Sequence, residues 1–140
     1  HDVIFTVGWF SLFQLEFDLT VLAAVLAVIG YSVNDTVVVL DRIRENFRKR
    51  RKGSVMEIMN LSINETLSRT TMTSFVTLLS VIVMYFFGGT VMHGFSIAMI
   101  VGIVVGTYSS IYIAGASALY LGLSREDLLP RARETADDQP

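Results

Sequence analysis

The stretch "VLAVIGYSVNDTVVVLDRIRENFRKRRK", residues 25–52, runs from an apolar segment into a dense basic block, with Asn34 and Asp35 set inside the apolar part. The apolar part reaches back to Leu19. Leu19 to Leu40 is close to the roughly 20 residues that a helix rising ~1.5 Å per residue needs to cross a hydrocarbon core of about 30 Å. It reads as a transmembrane helix. An Asp at the centre of such a helix costs about 2.5–3.5 kcal/mol on insertion scales, while each central Leu, Ile, Val or Phe returns about 0.3–0.6. Insertion therefore tolerates Asp35 without requiring it.

The rest of the chain is of the same kind. Of its 140 residues 52% are hydrophobic and 17% charged, with a mean hydropathy of +0.55, whereas a soluble domain carries about 25% charged residues. Thr70 to Phe87 and Phe95 to Leu123 are two further spans, the second long enough to need tilt. His1 to Phe13 would reach only about 20 Å as a helix, which makes it a half-span or the end of a longer one. It does not read as a signal peptide, which would open on a basic region and close on a small-residue cleavage site. The expected fold is all-α, a polytopic membrane helix bundle over residues 1–123 with helices near 1–14, 19–47, 66–87 and 94–122. The chain is expected to be a fragment that begins inside a helix.

Charge sets the expected orientation. Seven of the eleven Lys and Arg lie between Arg42 and Lys52, so the loop 41–53, with a net excess of five positive charges over residues 41–52, is expected on the cytoplasmic side. The acidic "QLEFD" and the Lys- and Arg-free "GGTVMHG" suit the opposite side, and the polar tail 124–140 returns to the cytoplasm. Ser54 to Glu57 fits a capping box behind Gly53. Over 54–64 the residues Glu57, Asn60 and Asn64 share one face while Val55, Ile58, Met59 and Ile63 take the other, which predicts an amphipathic helix lying at the membrane interface.

Two patterns bear on function. Ala98, Gly102, Gly106, Ser110, Ala114 and Ala118 recur every four residues, a small-residue stripe that lets another helix approach closely. Arg69, Thr73, Thr77 and Ser80 form a polar stripe on the span that follows, expected to face protein. Asp35 reads either as a structural carboxylate held with Asn34 and Ser32, or as a proton relay of the kind that intramembrane acids provide. Arg69 is likewise either an anchor that snorkels to the interface or the partner of that acid. The sequence holds no Gly-rich phosphate loop, no clustered metal ligands and no Ser-His-Asp arrangement, and its lack of Cys excludes disulfides and thiolate metal sites. No catalytic residue, cofactor or metal is expected, and the basic block is a topology signal with no bearing on nucleic acid.

"GYSVNDTVVVLDRIRENFRK", then "LSRTTMTS", "YFFGG" and "GTYSSIYIA", resemble in order and over nearly the whole chain the C-terminal membrane portion of the bacterial SecD/SecF protein-export family, on its SecF side. The resemblance implies half of a resistance-nodulation-division transmembrane domain: six spans in a whole subunit, a large extracytoplasmic domain between the first two, and this chain starting midway through the third. It implies a place in the bacterial inner membrane, with SecD, the SecYEG translocon and YajC as partners and the translocating preprotein held by the extracytoplasmic domain. The implied role is proton-driven assistance to late export. The family's proton-conducting acid and arginine match Asp35 and Arg69, with Ser32, Asn34, Thr73 and Thr77 as supporting polar residues. A proton-coupled small-molecule efflux transporter of the same superfamily and a passive assembly scaffold are the alternatives.

Overall fold

The computed structural model describes residues 1–49 and 54–120, all but a few connecting residues helical. The elements are α1 (Asp2–Leu12), α2 (Leu19–Lys49), α3 (Val55–Phe87), α4 (Thr90–Tyr108), a π-helical turn (Ser109–Ile113) and α5 (Ala114–Tyr120). Among the described residues three stretches are long and apolar enough to cross a membrane: Leu19–Lys49, Val55–Phe87 and Thr90–Ser117.

The helix ends are set by local chemistry. α1 closes in a Schellman arrangement, the Leu15 N–H donating to Phe10 C=O at 3.0 Å and the Gln14 N–H to Ser11 C=O at 3.3 Å. Gln14 takes the left-handed conformation (φ 50°) that glycine usually fills there. Asp18 then caps α2, its Oδ1 accepting from the Thr20 hydroxyl at 2.7 Å and the Val21 N–H at 2.9 Å. The Thr20 hydroxyl foremost, then the Val21 N–H, hold this carboxyl below the usual carboxylate range. α3 opens on the expected capping box, Glu57 N–H to Ser54 Oγ at 3.2 Å and Ser54 N–H to Glu57 Oε2 at 3.1 Å. Between α3 and α4 the chain turns at Gly88 and Gly89, the latter at φ 75°.

α3 departs from the expected pair of an interfacial helix over 54–64 and a separate span over 66–87. It is one helix of 33 residues, because no Gly or Pro interrupts Val55–Phe87. The apolar face expected to lie on lipid is covered by α2 instead: Ile58 and Met59 are buried in a cluster with Val39, Ile43 and Phe47, flanked by Val55 and Ile63. Polar bonds reinforce this end of the hairpin. Asn46 Nδ2 donates to Ser62 Oγ (2.9 Å) and Glu65 Oε2 (2.8 Å), and Arg42 Nε donates to the same Glu65 oxygen at 2.8 Å.

α4 packs on α2 through the small-residue stripe. Ala98, Gly102, Gly106 and Ser110 are all buried. A Cβ at Gly102 would sit 2.6 Å from one Val28 methyl and closer still to the other, so the backbones approach to a distance that only glycine permits. Gly106 faces Ser32 more loosely, with 3.5 Å to the nearest atom. The Ala114 and Ala118 side chains lie outside the described residues, as do the expected helix beyond Tyr120, the loop residues 50–53 and the tail 124–140. α1 joins by Phe10, buried against Val21, Ala24 and Ala98. In place of the single helix expected over 94–122, the π-turn interrupts the last span. Its Ser110 hydroxyl donates to Ser32 C=O and shares a hydrogen bond with the Thr36 hydroxyl, both on α2.

Candidate functional site

Three cross-links fix the antiparallel register of α2 and α3: Tyr31 with Ser74, Arg42 with Glu65, and Asn46 with Ser62. That register places Asp35 level with Thr70, one residue from Arg69. Asp35 is 5% exposed, and its Oδ2 is sealed from solvent without a hydrogen-bond partner. Thr70 is 1% exposed and its hydroxyl is also unpartnered. Two orphaned polar atoms thus sit at one level of one helix interface, where a buried polar group without a partner costs free energy that tight packing does not return.

Arg69, next to Thr70 on α3, is the cation that this register brings toward the level of Asp35. Its side chain is exposed and lines a cleft of about 300 Å³ together with Val38, Asp41, Arg42, Glu45, Glu65 and Thr66. The cleft opens from the α2–α3 interface on the side of the basic block. The site therefore has a buried carboxyl, a cation within electrostatic reach and a polar vestibule beside both.

The supporting residues expected from sequence are not all brought to it. Ser32 is buried, but its hydroxyl donates to Asp2 Oδ2. Asn34 is exposed. Thr73 is exposed and bonds back to the carbonyls of Arg69 (3.1 Å) and Thr70 (3.0 Å), and half-buried Thr77 bonds back to Thr73 at 2.8 Å. The Arg69–Thr73–Thr77–Ser80 stripe is therefore largely turned away from this chain's own bundle.

The stripe that does face inward is Ser62, Thr66, Thr70 and Ser74, all buried. The same four-residue spacing marks it in the sequence as a second polar stripe, without showing which of the two faces inward. Ser74 anchors a chain of hydroxyls across three helices, Tyr31 to Ser74 at 2.7 Å and Ser74 to Thr107 at 2.7 Å, ending on Ile103 C=O at 2.7 Å. Each hydroxyl has one proton, so the chain runs in that direction. Among the described residues no three His, Cys, Asp or Glu side chains converge as metal ligands.

Comparison with known proteins identifies the family. The family model described as "Protein export membrane protein SecD/SecF, C-terminal" matches residues 1–124. The protein translocase subunit SecF of Pseudomonas aeruginosa is 55% identical over 141 residues, covering 100% of this chain and 46% of the relative. That of Vibrio alginolyticus is 58% identical over 130 residues, covering 93% of this chain and 41% of the relative. The chain thus spans less than half the length of these curated relatives. The crystal structure of SecDF, a translocon-associated membrane protein from Thermus thermophilus, matches with a TM-score of 0.82 at 50% identity, covering 86% of this chain and 17% of that one. SecDF in its super-membrane-facing form matches with the same TM-score and identity, covering 86% and 16%. With three apolar helices of membrane-crossing length and relatives of this kind, the chain is part of a multi-pass membrane protein.

Proposed function

Because the chain belongs to the SecD/SecF protein-export membrane family, we propose that it is the membrane portion of a SecF-type subunit that couples proton movement to late protein export. In this reading it works with SecD beside the SecYEG channel and YajC in the bacterial inner membrane. The basic block 41–53 faces the cytoplasm, and a preprotein is engaged by parts of the protein outside this chain. The function is transport, with no covalent reaction catalysed and no cofactor.

One observation carries the reading: a carboxyl buried without a partner at an interface between two spanning helices, level with Arg69. A carboxyl in an apolar interface favours its protonated form, and a nearby guanidinium favours the ionised one. Movement of α3 against α2 that changes the distance between Arg69 and Asp35 would alternate proton uptake with release. The energy available is adequate, since one charge crossing 100 mV carries about 2.3 kcal/mol. The exposed apolar faces, including Phe75, Val76 and Leu79 on α3, leave room for lipid and a partner subunit.

Asp35→Asn in the full-length subunit with its SecD partner tests the proposal. The amide keeps the shape but cannot cycle a proton. Gradient-dependent translocation is expected to be lost at normal abundance. Retention of wild-type translocation would leave a passive scaffold, and gradient-driven transport of a small molecule by the intact complex would favour the efflux alternative. Single Cys labels at Gly53 and Gly89 should report opposite sides of the membrane, and the same side for both would overturn the orientation.

A further inference from the structure

The apolar part of the bundle contains a second carboxyl that the Asp35 reading does not use. Asp2, at the start of α1, has a side chain only 13% exposed. Its Oδ2 accepts a hydrogen bond from the Ser32 hydroxyl, and its Oδ1 lies 2.8 Å from His1 Nδ1. Ser32 is about 20 Å along α2 from Leu19 at ~1.5 Å per residue, and Asp35 is about 4.5 Å further, so both carboxyls fall within a hydrocarbon core of about 30 Å, beyond its midpoint.

Three elements converge on this point. Gly106 of α4 leaves the space above it, since a Cβ there would lie 3.7 Å from Ser32 Oγ and 3.9 Å from Asp2 Oδ2. In the π-turn, Ser110 Oγ reaches Ser32 C=O at 3.4 Å and the Thr36 hydroxyl at 3.1 Å. Thr36 directly follows Asp35 in sequence. α2 presents Ser32 to Asp2, and α4 presents Gly106, both neutral. The titratable neighbours are His1 on its own helix and Asp35 further along α2. A carboxyl inside the membrane is expensive, and its usual use is ion or proton handling. A π-turn inside a spanning helix is a feature concentrated at functional sites.

We propose that Asp2 is a second proton-exchanging carboxyl of the export reaction, with Ser32 as its hydrogen-bond partner in both states. The Ser32 hydroxyl donates to the carboxylate. After the carboxylate takes up a proton, the same hydroxyl can turn and accept from the carboxylic acid, so one contact serves uptake and release. The proton is supplied and removed by the gradient invoked for Asp35, so this inference rests on the proposed function.

The experiment compares Asp2→Asn, Asp2→Glu, Ser32→Ala and Asp35→Asn in the full-length subunit with SecD. It measures gradient-dependent translocation of a preprotein into vesicles as a function of external pH. Asparagine keeps the hydrogen bond to Ser32, so a merely structural Asp2 survives the change. Asp2→Asn is expected to lower translocation by about tenfold or more, within the usual range of coupling energies. Asp2→Glu is expected to restore part of it with a displaced pH profile. Wild-type translocation and pH profile in Asp2→Asn, with loss in Asp35→Asn, overturns this inference alone. Wild-type behaviour in both variants overturns the proposed function with it. Should Asp2→Asn fail to accumulate, Ser32→Ala decides: a displaced pH profile supports the inference and an unchanged one overturns it.

Discussion

The two faces that α2 offers its neighbours differ in kind. Toward α4 it meets a stripe of Gly and Ala so close that Gly102 and Val28 leave no room for a methyl. Toward α3 it packs Val39, Ile43 and Phe47 on Ile58 and Met59 at one end and meets hydroxyls and Glu65 along the rest, with Asp35 Oδ2 and Thr70 Oγ1 buried unsatisfied and a cleft of about 300 Å³ alongside. Dense packing has few alternative arrangements, whereas a polar interface with spare hydrogen-bonding capacity can exchange partners at modest cost. Under the proposed function, the α2–α4 pair would be the frame of the molecule and the α2–α3 pair its moving, proton-coupled part.

Substitutions on the two sides should therefore fail differently. Gly102→Ala should cost about 1–3 kcal/mol of stability by overpacking, read as a lowered midpoint of thermal unfolding in detergent, with Val28→Ala recovering much of it. Gly106→Ala, where the nearest atom is 3.5 Å away, should be nearly neutral in the same assay. Equal costs at the two glycines would remove the distinction drawn for the α4 face. Arg69→Lys acts on the other face. It keeps the charge but loses the planar fork and reach of the guanidinium, so translocation should fall roughly tenfold at normal abundance, within the usual range of coupling energies. A fall in abundance instead would make Arg69 an anchor.

Smaller effects sharpen the picture. Ser74→Ala cuts the hydroxyl chain between Tyr31 and Thr107, and an interhelical hydrogen bond inside a membrane protein is worth about 0.6 kcal/mol. Its unfolding midpoint should fall slightly, and less than that of Gly102→Ala. Smallest of all, Gln14→Gly should add a few tenths of a kcal/mol, roughly the left-handed cost removed less the entropy glycine adds to the unfolded chain. It lies at the α1–α2 turn and should leave translocation unchanged.

Much of this was legible in the sequence, and the rest was lost for identifiable reasons. The spans followed from apolar length, the start of α3 from Ser54 and Glu57, and the close α4 contact from small residues four apart. Asp35 stood out because a carboxyl in such a run needs an explanation. Which polar stripe of α3 faces inward was not legible: Arg69–Thr73–Thr77–Ser80 and Ser62–Thr66–Thr70–Ser74 have nearly the same periodicity. The choice is made by Tyr31, Asn46 and Thr107 on other helices. The continuity of α3 was missed because a change from amphipathic to apolar sequence does not end a helix. The π-turn has no local sequence signature and depends on contacts between Ser110 and α2. Asp2 could be weighed only once α1 was seen against Ser32.

Locking each interface in turn tests the central claim most directly, with any native Cys of the full-length subunit and SecD replaced first; this stretch has none. Cysteine pairs at Asn46 and Ser62 across α2–α3, and at Ala24 and Ala98 across α2–α4, would be cross-linked in the full-length subunit with SecD. Gradient-dependent translocation would be followed before and after reduction. The α2–α3 lock should abolish translocation and reduction should restore it, while the α2–α4 lock leaves it intact. Full activity with α2–α3 locked, or loss only with α2–α4 locked, would contradict the account.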